Sequence, residues 1–252
     1  MATDASPGRL LGVGVGPGDP ELITRQALRV LAESDRVVAP STAVDAVGRA
    51  EAIVRQASPE ITMERLVFDM TGDGSQGGRA AREASHRAAA SALLPWLDAG
   101  EQVAFVTLGD PNIYSTFSSL ASALRCVRPA VEIGTVPGIM AFQALAARAG
   151  AVLLDGTESL SLVTALDGPE DVDAAVEDPN RAVVVYKGGR HVPQITASLS
   201  RAGRLDGAVM GELLGLPGER MGPLAHLGTR PATYLATVIV PPRTRRRHEE
   251  ER

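Results

Sequence analysis

Apolar residues come in short runs through the first half of the chain, and longer stretches with helical spacing follow them. Residues 9–15 (RLLGVGV) and 102–108 (QVAFVTL) are apolar runs of the kind that form buried parallel strands. Residues 35–40 (DRVVAP) and 131–136 (VEIGTV) read as shorter strands. Residues 21–35 carry Leu22, Ile23, Ala27, Leu28 and Leu31 at helical spacing, residues 80–97 are Ala-rich and helical, and residues 114–125 and 139–150 read as helices after two of the strands. This alternation predicts a parallel sheet with helices on its faces. The second half has a different rhythm. Residues 159–165, 181–187, 207–213 and 233–242 read as strands with fewer helices between them, which predicts a second domain with a mixed sheet. The expected class is α/β, with residues 1–135 as an N-terminal α/β domain and 136–242 as a C-terminal one. Residues 71–79 (TGDGSQGGR) are a loop by composition, and the polar residues 243–252 are expected to be a disordered tail.

Composition narrows the function classes. Of 252 residues, 44% are hydrophobic but only 3% aromatic, so aliphatic side chains must fill the cores. A net charge of −5 argues against a nucleic-acid or membrane-surface partner, since both demand a basic face. Cys126 stands alone, which rules out an intrachain disulfide and fits a reduced compartment. With no run of about 18 apolar residues and no apolar signal core, a cytoplasmic protein is expected.

The loop after the first strand holds Gly12, Gly14, Gly16 and Gly18 on alternate positions, with Pro17 between the last two. A phosphate loop needs Lys and Ser or Thr after its last glycine, and here Asp19 and Pro20 follow. The dinucleotide pattern would need glycine at position 17 or 19, where Pro17 and Asp19 stand. Capping fits better: Asp19 suits an N-cap and Pro20 a first helical position, with the glycines permitting a tight turn and close approach of backbone or a flat ligand. Residues 105–117 (FVTLGDPNIYSTF) repeat the strand, Gly-Asp-Pro, helix design, and residues 136–141 (VPGIMA) offer a Pro-Gly turn after another strand. Turns of this kind would gather at the carboxyl edge of one sheet, where open α/β sheets bind ligands. His86, His191, His226 and His248 have no metal-ligand spacing with each other or with Cys126, so no protein-bound metal is expected.

Taken in order, GVGPGDPEL, LGDPNIYST, VPGIMAF and VVVYK resemble the tetrapyrrole methyltransferases of cobalamin and sirohaem synthesis, over nearly the whole chain to about residue 242. Within that family, LGDPNIYSTFSSL is most similar to the precorrin-2 C-20 methyltransferases. The uroporphyrinogen methyltransferases differ there and carry an aspartate in the strand after the first helix, where this chain has Ala39 and Pro40. The resemblance implies two α/β domains in a homodimer, S-adenosylmethionine in a cleft between the domains, and a tetrapyrrole trough beside it. The cofactor contacts it implies are Pro17, Leu108, Gly109, Asp110, Ile113, Met140, Ala141, Tyr186, Lys187, Leu214 and Gly215. On this reading Gly16, Gly18 and Asp19 line the trough, and Ser115, Thr116 and Arg190 are further substrate residues. Lys187, Arg79 and Arg82 are other cations that could meet the carboxylates of precorrin-2.

The implied reaction is methyl transfer to C-20 of precorrin-2, giving precorrin-3A. A ring proton must leave after the attack, and Asp110 and Tyr114 are the candidate groups by motif. Asp110 is also a candidate helix cap, and Tyr114 a candidate core residue. Three alternatives stay open: a ring that already carries cobalt, another ring position, and a binding module without catalysis. The dimer interface is expected to be aliphatic and to involve the helix at 114–124.

Overall fold

The computed structural model describes residues 8–68 and 76–243, without the side chains of Gln76, Gly77 and Arg79. The chain divides into two compact units, Met1–Met140 and Ala141–Arg252. The expected tail lies outside the described residues from 244 onward, whereas Arg243 N–H donates to Pro179 O at 2.8 Å. Of the loop expected over 71–79, residues 71–75 and the Arg79 side chain lie outside them, and residues 76–79 are not loop but the first turn of the helix Gln76–Asp98.

The first unit runs β1 (Arg9–Gly14), α1 (Arg25–Glu33), β2 (Arg36–Ser41), α2 (Arg49–Ala57), β3 (Glu64–Val67), α3 (Gln76–Asp98), β4 (Gln102–Thr107), α4 (Thr116–Val127) and β5 (Glu132–Val136). The five strands are parallel, in the order β3-β2-β4-β1-β5. Val13 of β1 sits in register with Val106 of β4 and Val136 of β5. The apolar runs of β1 and β4 follow from burial on both faces. On one face Val13, Val15, Ala104 and Val106 pack against Ala27, Val30 and Leu31 of α1 and Ile53 and Val54 of α2. On the other, Leu10, Val103 and Phe105 pack against Leu93 of α3 and Phe117, Leu120 and Leu124 of α4. Gly12 has to be glycine for that second layer, since a Cβ would lie 2.5 Å from the Phe117 ring.

The helix expected over 21–35 is broken. Pro20–Leu22 is a short 3-10 turn, and Asp19 caps that turn by accepting the Glu21 N–H at 2.9 Å. The α-helix starts only at Arg25, with the Thr24 hydroxyl accepting the Ala27 N–H at 3.0 Å. Leu22 and Ile23 continue the apolar spacing across the break, which hides it in the sequence.

The second unit contains α5 (Ala141–Ala149), β6 (Ser159–Thr164), α6 (Glu170–Ala175), β7 (Arg181–Tyr186), α7 (Val192–Arg201), β8 (Val209–Glu212), β9 (Arg220–Pro223), α8 (Leu224–Leu227) and β10 (Ala236–Val240). Its sheet has the order β6-β7-β10-β8-β9, with β6 parallel to β7 and the other pairs antiparallel. It is the mixed sheet that the strand-rich second half predicts. One face is covered by α6, α7 and α8, the other by α5. Arg204 is buried and donates to the carbonyls of Val176, Asp178, Arg181 and Pro241, clamping the ends of three segments together. Burial pushes its pKa below the usual arginine value. Among the described residues no helix is long and apolar enough to cross a membrane.

Candidate active site

In the first sheet β1 leads over β4 to β2, while β4 leads over β1 to β5. The connections leave the adjacent strands β1 and β4 in opposite directions, so the carboxyl edge between them is a topological switch point, where ligands bind in open α/β sheets. The three turns singled out in the sequence all follow strands at this edge: Gly-Asp-Pro after β1, Gly-Asp-Pro after β4 and Pro-Gly after β5.

The turns are held against one another backbone to backbone. Val15 N–H donates to Thr107 O at 3.0 Å, and Gly109 N–H donates to Gly16 O at 2.8 Å. Gly16 and Gly109 have φ of +83° and +68°, the left-handed region that favours glycine. A Cβ on Gly14 would lie 2.5 Å from Gly109 O and 2.7 Å from Gly138 N, and one on Gly138 would collide with Gly109 O. These glycines therefore serve close approach of three chain segments. A Cβ on Gly16 would meet the Leu22 carbonyl oxygen at 3.1 Å.

Asp110 completes the assembly. It is buried; Oδ1 accepts the Asn112 N–H at 2.8 Å and Oδ2 accepts the Gly138 N–H at 3.0 Å. The carboxylate thus turns its own loop and ties it to the loop after β5. Asn112 Nδ2 adds a bond to Thr135 Oγ1 of β5 at 3.2 Å. Ser115 is the N-cap of α4: its Oγ accepts the Phe117 N–H at 3.1 Å and lies 2.8 Å from Thr107 Oγ1. Thr116 is the first residue of that helix. Tyr114, just before the cap, has φ of +50° and is 44% exposed, so the core-packing reading of this residue fails. Met140 is buried with its sulfur 3.1 Å from where a Gly109 Cβ would be. Leu108 packs part-buried on the α1/α2 core, Ile113 is part-buried, and Gly16, Pro17 and Gly18 are buried whereas Asp19 is exposed.

The second unit places its own candidates at one sheet edge. Strands β7 and β8 each pair antiparallel with β10, so their carboxyl ends point the same way. Tyr186 ends β7, and its hydroxyl accepts the Phe142 N–H of the first turn of α5 at 3.1 Å. Ala141 is the first residue of that helix. Lys187 and Leu213, directly after β7 and β8, have φ of +58° and +53°. Leu214 is buried over Gly211 against Leu145, and Gly215 has φ of +70°. Gly215 N–H donates to Glu219 Oε2 at 2.7 Å, and Arg148 grips the same carboxylate with both terminal nitrogens. The Arg148 guanidinium holds the Glu219 carboxyl below the usual carboxylate range, against the opposing effect of burial. Arg190 is exposed and donates to the Leu166 carbonyl and to His191 Nε2.

Sequence reasoning missed Gly138 as the partner of Asp110, Thr107 as the partner of Ser115, and Glu219 as the anchor of the turn at Gly215. Gly138 lies 28 residues from Asp110, and its signal was the Pro-Gly turn. Thr107 and Ser115 stand eight residues apart within the 105–117 stretch, and Glu219 four residues after Gly215, so both pairs were within local reach, but no turn rule pairs those groups.

The family model described as Tetrapyrrole (Corrin/Porphyrin) Methylases matches residues 9–227. A Salmonella typhimurium protein named cobalt-precorrin-2 C(20)-methyltransferase is 34% identical, over 92% of this chain and 96% of its own length. A Sinorhizobium protein named precorrin-2 C(20)-methyltransferase is 32% identical, over 93% and 95%. Among solved structures, a uroporphyrin-III C-methyl transferase from Thermus thermophilus complexed with S-adenyl homocysteine is 25% identical, with TM-score 0.61 over 94% of this chain and 99% of that one. A cobalt precorrin-4 methyltransferase shares the fold at 21% identity and TM-score 0.63, over 92% and 94%.

Proposed function

We propose that this chain, which belongs to the tetrapyrrole (corrin/porphyrin) methylase family, transfers a methyl group from S-adenosylmethionine to C-20 of precorrin-2, yielding precorrin-3A. The observation that carries this reading is the end-to-end similarity to two relatives whose names specify the C(20) position. Their names differ in cobalt. The metal-free ring is the reading adopted here, and the cobalt-bearing ring is the alternative that the Salmonella relative's name favours.

The residues fit a methyl donor of this kind. At the switch point Gly109 turns in the left-handed region, so the Leu108–Asp110 loop carries a residue without a side chain between β4 and Asp110. The Gly109 N–H is already donated to Gly16 O, so the loop offers a ligand a fixed frame rather than that donor. Pro17, Leu108, Gly109, Asp110, Ile113 and Met140 of the first unit are the proposed cofactor residues, with Ala141, Tyr186, Lys187, Leu214 and Gly215 of the second. Gly16, Gly18, Asp19, Ser115, Thr116 and Arg190 are proposed for the tetrapyrrole.

S-adenosylmethionine, when bound, supplies a methyl group already activated by a sulfonium. The chain's task is then orientation, which can contribute about 7–11 kcal/mol in favourable cases. Asp110 serves this task through the loops it joins, because both of its oxygens hold backbone N–H groups. Tyr114, on the exposed side of the same loop, is the proposed relay for the ring proton, its hydroxyl oxygen accepting that proton as it donates its own to solvent water. The Ser115 cap and its Thr107 contact fix where α4 starts, and so where Tyr114 stands.

Calorimetry with S-adenosylmethionine, followed by parallel assays of precorrin-2 and its cobalt-bearing counterpart, tests the reading. Saturable binding and turnover of precorrin-2 support it; binding with turnover of the cobalt ring alone selects the alternative; no binding favours a non-catalytic module. We also propose a cytoplasmic homodimer, with an aliphatic interface that involves α4 or elements packed on it. Sedimentation should then report a mass near twice 26.3 kDa.

A further inference from the structure

Lys187 adopts a left-handed conformation although it carries a Cβ. Such residues persist only where the surrounding structure holds them, and they gather at ligand sites. Part of what holds Lys187 is visible in the second unit. Its Nζ lies 5.7 Å from the centre of the Tyr234 ring, within the range of a cation–π contact. Tyr234 is 51% exposed, so core packing does not fix this ring. The backbone before it is fixed from two sides instead. Thr233 N–H donates to Glu212 Oε1 at 2.5 Å, and Ala232 N–H donates to Gly189 O at 2.8 Å. A Cβ at Gly189 would collide with the Thr233 carbonyl oxygen. Glu212 is buried at the end of β8, with its other oxygen 3.1 Å from Arg220 Nη1. Glu212, Thr233, Tyr234 and Lys187 therefore form one supporting chain along the carboxyl edge of the second sheet.

We propose that Tyr234, held in place by Glu212, is a positioning residue that sets the Lys187 ammonium to receive a ligand carboxylate. The proposal rests on the methyltransferase reading above. An ammonium on a ring face keeps its charge and its rotatable donors, while the ring replaces part of its hydration shell. The carboxylate has two possible sources: the amino-acid end of S-adenosylmethionine, or an acidic substituent of the tetrapyrrole. Neither Glu212 nor Tyr234 is among the site residues that the sequence suggests.

The test compares Lys187→Gln, Tyr234→Leu, Tyr234→Phe and the Lys187→Gln/Tyr234→Leu double variant with the parent. Three quantities are measured: the Kd of S-adenosylmethionine by calorimetry, the Kd of uroporphyrin III by fluorescence, and kcat and KM for precorrin-2. Lys187→Gln and Tyr234→Leu should each weaken one carboxylate ligand by about five- to tenfold. The double variant should be no worse than Lys187→Gln, and Tyr234→Phe, which keeps the ring face, should match the parent. Weakening confined to uroporphyrin and precorrin-2 assigns a ring carboxylate; weakening confined to S-adenosylmethionine assigns the donor's. The proposal is overturned if the two single effects add in the double variant, if Tyr234→Phe loses as much as Tyr234→Leu, or if neither ligand is weakened. The two binding measurements do not depend on turnover. A parent protein that binds both ligands but leaves precorrin-2 unmethylated therefore counts against the proposed function and leaves this inference to be judged on binding.

Discussion

Asp110 Oδ2 accepts the Gly138 backbone N–H at 3.0 Å, across 28 residues of sequence, and this bond joins the loop after β4 to the loop after β5. With Oδ1 on Asn112, the side chain is a latch between two of the three turns at the switch point. Asp110→Ala leaves the Gly138 N–H without its acceptor, and a stability loss of about 1–3 kcal/mol is expected. The variant should stay folded, because the bond lies at a strand end, but bind S-adenosylmethionine more weakly. Denaturant unfolding and calorimetry check both parts; parent-like affinity would remove Asp110 from the cofactor site.

Gly138→Ala tests the same junction from the other side. Its Cβ collides with the Gly109 carbonyl oxygen, and neither partner is a flexible side chain. The loops must therefore separate, at about 1–3 kcal/mol of stability. If the separation misplaces the donor by about 1 Å, turnover should fall on the order of 100-fold. Normal kcat in a folded Gly138→Ala protein would show that the junction does not set the reaction geometry.

Tyr114→Phe removes a hydroxyl from an exposed ring and leaves the neighbouring cap untouched. Turnover should drop with the S-adenosylmethionine Kd unchanged, by about 100-fold if the hydroxyl takes the ring proton. Steady-state kinetics beside calorimetry separates the two quantities, and an unchanged kcat would exclude the proton-acceptor role.

Acid stability depends on Glu51. Its buried carboxylate accepts bonds from Arg65 at 2.8 and 2.9 Å and from Arg55 at 2.7 and 2.9 Å. The Arg65 bonds, with those of Arg55, hold its pKa below the usual value of 4.5 although burial opposes them. A depressed carboxylate stabilises the fold above its unfolded-state pKa, and that contribution disappears as pH falls through the lower folded value. Unfolding free energy should therefore decline below about pH 4.5. Glu51→Gln should be less stable at pH 7, by about 2 kcal/mol, and flatter across the acid window. Equal acid slopes for the two proteins would contradict this assignment.

The strands were legible because burial on both faces turns them into unbroken apolar runs, as in β1 and β4. The turns were legible because Gly-Asp-Pro leaves few backbone choices. The function of the glycines was only half legible. The sequence admits close approach, but that Gly14, Gly109 and Gly138 approach one another depends on β1 lying between β4 and β5. The break at Thr24 was hidden by Leu22 and Ile23, whose apolar spacing runs through it. The strained Lys187 gave no sign, because its glycine neighbours come one and two residues later and no rule predicts a left-handed lysine. The Tyr186 hydroxyl reaches Phe142 across 44 residues, a separation at which side-chain pairing has no local signature.

The position of the transferred methyl group tests the central claim most directly. The protein should be incubated with precorrin-2 and S-adenosylmethionine labelled with carbon-13 in its methyl group, and the product examined by NMR. One labelled methyl per ring, bonded to C-20, is the expected result. Label at another ring carbon, or none on a ring that the protein demonstrably binds, would contradict the account.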